Sequence, residues 1–171
     1  MTVIVIVIGV IVALVIFVII AIAKGTKKRN AAWQAFAVKN KLKYSAKGDE
    51  ELENWLAEAK LVNSSGPCRH KTQNVLFGTI NDVPIIVCLH SVFFNNKADE
   101  QSNIYCETWI ILQTDNLPQE YDKTLTEYGS FEAHVRGNRL VIFRRGTIFE
   151  ADHFDKMIEM SFKILKEVQS Q

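Results

Sequence analysis

Cysteine, glycine and proline are all scarce in this chain, and each scarcity removes a class of protein. The three cysteines are Cys68, Cys88 and Cys106. An odd number without C-x₂₋₄-C spacing suits a reducing compartment better than a disulfide framework, and it lacks the usual zinc-site signature. The eight glycines never fall as G-x-x-x-x-G-K-S/T or G-x-G-x-x-G, so no phosphate-cradling loop is encoded. Neither a G-x-S-x-G elbow nor a cysteine-protease signature occurs. With three prolines, no low-complexity tract and no internal repeat, nothing marks a linker between two domains.

Charge is missing from one long stretch. From Val3 to Ala23 the chain is Val, Ile, Ala, Leu and Phe with one Gly, 21 residues in all. At about 1.5 Å per residue this makes roughly 31 Å of helix, matching a hydrocarbon core of about 30 Å. A lone strand there would leave its backbone groups unpaired in lipid, so the run is read as a helix despite its Val-Ile character. Ala21-Ile22-Ala23 has the small-x-small form of a signal-peptidase site. However, only Met1-Thr2 precede the run, without Lys or Arg, and the run is longer than a signal peptide's apolar region. The sequence therefore predicts a transmembrane helix at 3–23, a basic juxtamembrane collar at 24–30 and a single cytoplasmic α+β domain at 31–171.

Orientation follows from the basic residues. Between Lys24 and Lys43 there are seven Lys or Arg and no Asp or Glu, which places the C-terminal domain in the cytoplasm and the N-terminus outside. Lys24, Lys27, Lys28 and Arg29 are the expected membrane-surface contacts. Residues 44–171 then hold 13 basic against 19 acidic residues, a net charge of −6. So acidic a domain makes a poor nucleic-acid partner.

Hydrophobic periodicity predicts a helix over Asn30–Asn40, with Ala32, Trp33, Phe36 and Ala37 on one face. This helix either continues from the apolar run or starts anew at a break and cap offered by Gly25-Thr26, and Asn40 offers a left-handed end. A second helix runs from about Asp49 to Lys60, capped by Asp49, with Leu52, Trp55, Leu56 and Ala59 inward. After a polar loop at Asn63–Pro67 the pattern turns to strands. These are Val75–Ile80 and Val83–His90 around the Asn81-Asp82 turn, then Ile104–Leu112, then Phe131–Val135 and Arg139–Phe143 around Gly137-Asn138. Glu120–Tyr128 reads as a short helix or loop. The last helix is capped by Asp152 and carries Phe154, Met157, Ile158, Phe162, Leu165 and Val168 as its apolar stripe. The fold class expected is α+β: one transmembrane helix, two helices, an antiparallel meander of about five strands and a C-terminal helix.

Trp33 and Ala37 leading to Leu42-x-Tyr44, then Asn74-Val75-Leu76-Phe77-Gly78 before a hairpin, and later Leu117-Pro118, stand behind a single apolar helix and a basic collar. In this arrangement the chain resembles a group of small bacterial membrane-anchored proteins. The resemblance implies a bacterial inner-membrane address and assigns no activity.

Cys88-x-His90 points two metal-ligating types to one face of a strand. Cys106 on the next strand and Cys68-x-His70 are the further candidates for a tetrahedral site. The alternative is that Cys88 and Cys106 are small core residues, with His70 and His90 at the surface or satisfied locally. Cys106 with His90 or His134 is the best nucleophile-and-base pairing that can be drawn. Arg136, Arg139, Arg144 and Arg145 on the last hairpin could meet lipid headgroups or an acidic partner. Trp33, Trp55 and Trp109 are expected core anchors. Gly9 and Ala13, four apart, form a small-xxx-small face for helix packing in the membrane.

These readings predict an accessory or scaffold subunit that acts through protein–protein contacts, with a membrane-protein partner or a second copy, and no cofactor. A lipid-headgroup-binding domain is the second expectation. A tethered enzyme near Cys88, His90 and Cys106 is the third.

Overall fold

A computed structural model of the chain describes residues 2–61, 68–94, 104–126, 130–146, 150 and 153–170, with side chains from residue 11 onward except those of Phe94, Ile104 and Tyr105. The helix α1 spans Thr2–Lys39 and leads into the short strand β1 (Lys43–Ser45) and helix α2 (Glu50–Glu58). Six strands follow: β2 (Cys68–Ile80), β3 (Val83–Phe94), β4 (Ile104–Gln113), β5 (Glu120–Leu125), β6 (Phe131–Arg136) and β7 (Arg139–Phe143). Helix α3 (Phe154–Gln169) closes the chain. All strand pairings are antiparallel, in the spatial order β1-β2-β3-β4-β7-β6-β5. The α+β class is as expected; the count of about five strands is corrected to seven.

The two strands that the periodicity misses are the two edges of the sheet. β1 is three residues long, and β5 buries only Leu125 fully. Edge strands are short and polar because one side lacks a partner and charge there discourages further pairing. A polar segment such as Glu120–Leu125 therefore looks like a loop until β6 is known to lie beside it.

Of the two possibilities at Gly25-Thr26, continuity holds and the break does not occur. Both residues are helical, nothing crowds Gly25, and one helix of 38 residues replaces the two that were expected. The left-handed closing residue is Lys41, one position after the expected Asn40. Lys41 takes the left-handed conformation at φ 55°, its N–H donates to the Val38 carbonyl at 3.3 Å, and the Leu42 N–H donates to the Ala37 carbonyl at 2.8 Å. This paired closure lays buried Leu42 back on Ala37 and turns the chain into β1. Among the described residues no helix is long and apolar enough to cross a membrane. The side chains of Thr2–Val10 lie outside them, and Ile11–Ala23 alone is 13 residues, short of the roughly 20 that a span requires.

Each face of the sheet carries its own core. Alternation sends Ile85, Val87 and Leu89 of β3, Ile110 and Leu112 of β4, and Leu140 and Ile142 of β7 toward α3 and the last turns of α1. There Trp33 and Phe36 both meet Phe154 edge-on, with ring centroids 4.7 and 4.9 Å apart. The intervening residues Cys88, Trp109, Ile111, Val141 and Phe143 face α2, which contributes Leu52 and Leu56. The hairpin turns behave as expected. Asn81 and Asp82 both have positive φ, while in the other turn Gly137 alone does.

Candidate functional site

The α2 face holds nearly all the polar side chains buried in the sheet, and β2 positions them. This strand begins at Cys68, seven residues before the expected Val75, because a bulge at Asn74 (φ 49°) interrupts the pattern. The register with β3 shifts between Gln73 and Leu76. The Asn74 side chain accepts a hydrogen bond from the Tyr44 hydroxyl at 2.8 Å, which ties the bulge to β1. Helix α2 is stitched to the same strand. Asp49 caps the Leu52 N–H at 2.8 Å, the Thr72 hydroxyl accepts from the Asp49 N–H at 2.9 Å, and the Glu53 carboxylate accepts from the Thr72 N–H at 2.7 Å. A Cβ on Gly48 would collide with the Thr72 carbonyl oxygen, so close approach requires glycine here.

Rings from five neighbouring strands line up across this face, all stacked except for the tilted His90–Trp109 pair: His70 (β2), His90 (β3), Trp109 (β4), Phe143 (β7) and His134 (β6). Successive centroids are 5.1, 4.1, 4.3 and 5.4 Å apart. Polar contacts run along the stack. The Cys68 sulfur lies 3.4 Å from His70 Nε2, and His70 Nδ1 lies 2.9 Å from His90 Nε2. Glu107 sits opposite His90, accepts the Trp109 indole N–H at 2.7 Å and accepts the Gly146 backbone N–H at 3.2 Å. At the far end Asp122 and Glu132 hold the two nitrogens of His134, and each carboxylate is also paired with an arginine, Arg136 and Arg145 respectively.

Burial governs the electrostatics. It pushes the Cys88 thiol up to about 12, reinforced by Asp49 and Glu53. It lowers His90 to about 3, helped by His70, and it lowers His70 against the pull of Glu53. It also raises the Glu107 carboxyl, partly offset by the hydrogen bonds from Trp109 and Gly146. Asp122 moves the other way, because the Arg136 guanidinium donates to it.

The histidine pair is therefore neutral at pH 7, and its tautomer follows from its one unpartnered atom. Among the described residues His90 Nδ1 is buried without a hydrogen-bond partner. A bare lone pair is tolerated there better than an orphaned N–H, so His90 carries its proton on Nε2 and donates to His70 Nδ1. His70 then presents N–H to Cys68. Nucleophile, imidazole and orienting group stand in line as in a catalytic triad, but the imidazole facing the thiol is already protonated and weakly basic.

Alternation brings Cys68, His70, Cys88 and His90 to one face, as the spacing requires. Cys106 is the exception, and its expected place beside His90 is corrected. It pairs with Ser91 rather than His90, packs against the core on the opposite face, and accepts from the Ser91 hydroxyl at 3.4 Å. Among the described residues no three or more His, Cys, Asp or Glu side chains are grouped to hold a metal. His70 and His90 are not at the surface; both are buried and paired with each other. Glu107 went unnoticed in the sequence, although its place in Ile104–Leu112, two residues before Trp109, put a carboxylate on an inward strand position.

Three of the four hairpin arginines are engaged within the fold. Arg136 forks onto Asp122, Arg145 binds Glu132, and Arg139 lies over the Trp55 ring at 4.5 Å. Trp55 is only half-buried, unlike Trp33 and Trp109. With Leu52, Val75, Phe77, Ile86 and Arg139 it lines a cleft of about 270 Å³ between α2 and the sheet. Of the collar, Lys24, Lys27 and Lys28 are exposed on α1, and Arg29 is half-buried. Ala13 is exposed on the same helix, while the side-chain surroundings of Gly9 lie outside the described residues. The N-cap of α3 is His153, without a side-chain cap bond, rather than the expected Asp152, which itself lies outside the described residues. No family model matches this chain, and no curated protein or solved structure matches it.

Proposed function

We propose that this chain is a single-pass membrane-anchored accessory or scaffold subunit. It resides in a bacterial inner membrane with its N-terminus outside and its α+β domain in the cytoplasm, and it acts through protein–protein contacts in a membrane complex. The observation that carries this reading is the continuity of α1. The helix that begins in the apolar run ends inside the domain core at Trp33, Phe36 and Ala37. Every side chain from Ile11 to Ala23 is exposed around the whole helix, a surface that needs lipid or protein rather than water. From Ala23 to Trp33 is about 15 Å along the axis, so the domain is held close to the headgroups on a rigid arm. Such an arm suits a part that positions a partner.

The cleft of Trp55, Phe77 and Ile86 beneath Arg139 offers the contact surface on the domain, and Phe77 is among its exposed residues. Gly9 and Ala13 offer the contact within the membrane. A membrane protein or a second copy is the partner; the acidic domain disfavours nucleic acid. The arginine hairpin, with Arg136, Arg139 and Arg145 engaged internally, gives little support to lipid sensing by that hairpin.

The test joins topology to capture. A phosphatase active only outside the membrane stays silent when fused after Gln171, and the full chain purified in mild detergent brings a membrane protein or a second copy with it. Phe77→Ala or Gly9→Leu then weakens that capture while insertion persists. A strongly active phosphatase fusion overturns the orientation, and a chain that elutes alone as a monomer overturns the scaffold reading.

A further inference from the structure

Among the described residues, besides His90 Nδ1, two buried side-chain donors have no hydrogen-bond partner, and they stand one turn apart on α1: Arg29 Nε and Trp33 Nε1. The other collar residues are arranged differently. At 100° per residue Arg29 lies about 140° around the helix from Lys24, on the face that carries Trp33, Phe36 and Ala37 into the core, while Lys24, Lys27 and Lys28 point outward. Arg29 thus turns toward the domain. There its charge acts on the Tyr44 hydroxyl, since β1 packs against α1. Among the described residues it has no carboxylate partner, although the arginines of the last hairpin show how readily this fold supplies one to Arg136 and Arg145.

A half-buried guanidinium without an anion and a fully buried indole N–H without an acceptor are each costly, since an unmade bond forfeits the donor's hydration. Their position points to what completes them. Arg29 stands six residues beyond Ala23, about 9 Å along the axis, where the interfacial layer beyond the hydrocarbon is about 5–7 Å deep. Side chains on a helix lean toward its N-terminus, here toward the bilayer, so Arg29 reaches back to headgroup depth and the Trp33 indole covers the turn at the level of Arg29.

We propose that Arg29 and Trp33 form a phosphate site for a phospholipid headgroup of the leaflet from which α1 emerges. The guanidinium supplies paired donors and the charge, and the indole N–H binds a further oxygen of the same phosphodiester. Neither Nε nor Nε1 is reached by water, so a phosphate enters only as the side chains around them rearrange. The bound lipid sits between α1 and β1 and fixes how the domain is turned on the membrane. The exposed lysines supply only general attraction. This inference rests on the membrane-anchored reading of α1.

The experiment uses the full chain in maltoside micelles and follows its indole N–H resonances, with Trp33 assigned through Trp33→Phe. Short-chain phosphatidylglycerol is expected to shift the Trp33 signal saturably, while the matching diacylglycerol and inorganic phosphate at equal concentrations leave it in place. Arg29→Gln should weaken the apparent affinity by about tenfold or more, as for a lost charge-assisted bond. Arg29→Lys, which keeps the charge without the fork, should fall between, and Arg144→Gln should match the wild type. Unshifted Trp55 and Trp109 signals certify that each variant is folded. An unmoved Trp33 signal, an unchanged affinity in Arg29→Gln, or an equal response to inorganic phosphate overturns the lipid site. Alkaline-carbonate extraction separates the two readings. A chain released from membranes fails as an anchor, whereas one retained in them with a silent Trp33 fails only at this site.

Discussion

His70 and His90, on adjacent strands of one sheet, share a buried hydrogen bond of 2.9 Å, and the ring of His90 rests on Trp109 at 4.1 Å. Two imidazoles occupy positions where most sheets place aliphatic side chains. They do so as neutral rings, because each satisfies one nitrogen of the other and burial opposes their charge. The rest of the α2 face is organised around this pair, with Cys68 at one end and Glu107 on the neighbouring strand.

Acid should unfold the domain through this pair. The folded pKa of His90, about 3, lies below its ordinary 6.5, so between those values the unfolded chain binds more protons and stability falls as pH falls. The raised pKa of Glu107 acts in the opposite sense. The informative quantity is therefore the difference between the wild type and a His70→Leu/His90→Phe double variant. Urea midpoints at pH 7, 5.5 and 4.5 should decline more steeply for the wild type. Parallel profiles would mean that the pair does not govern acid stability.

Cys88 should behave as an inert core residue. A thiol pushed up to about 12 has almost no thiolate at pH 8, so a colourless-to-yellow disulfide reagent should modify the half-buried Cys68 and Cys106 first and reach Cys88 only in denaturant. Cys88→Ser should cost on the order of 1–3 kcal/mol, because the hydroxyl replaces sulfur in an apolar site. Metal analysis of the purified chain adds a separate check: one equivalent of zinc, lost in Cys88→Ser, would reverse this assignment.

Gly48→Ala should loosen α2 from the sheet. The added Cβ meets the Thr72 carbonyl and the Glu53 carboxylate, and that carboxylate accepts the Thr72 N–H that stitches α2 to β2. A loss of about 1–3 kcal/mol in chemical denaturation is expected. Asp49→Ala, which removes only the cap, should cost about 1 kcal/mol. Equal stability of Gly48→Ala and the wild type would show that this approach is not tight in solution.

Lys41→Gly should stabilise the end of α1. A lysine at φ 55° carries a left-handed penalty of about 1–2 kcal/mol that glycine avoids, offset in part by the greater freedom of glycine in the unfolded chain. The net gain should be a few tenths to about 1 kcal/mol, read as a raised melting temperature. A lowered one would mean that the lysine side chain makes a compensating contact.

Much of this architecture was legible in the residues themselves. The Asp49 cap, the Asn81-Asp82 and Gly137-Asn138 turns, the central strands and the stripe of α3 all depend on neighbours a few positions apart. Their physics is local: a carboxylate accepting from the next turn, residues that tolerate positive φ, and a period of 2 or 3.6.

What tertiary structure decided is everything that depends on register and on edges. Cys106 lies one residue out of phase with His90 because β4 pairs Glu107 with His90, and no single strand carries that information. β5 is a strand only because β6 supplies its hydrogen-bond partners, and β2 begins at Cys68 only because Asn74 absorbs a bulge anchored by Tyr44. Side chains far apart in sequence meet at positions set by pairing across the whole sheet. A shift of one residue turns each of them to the other face.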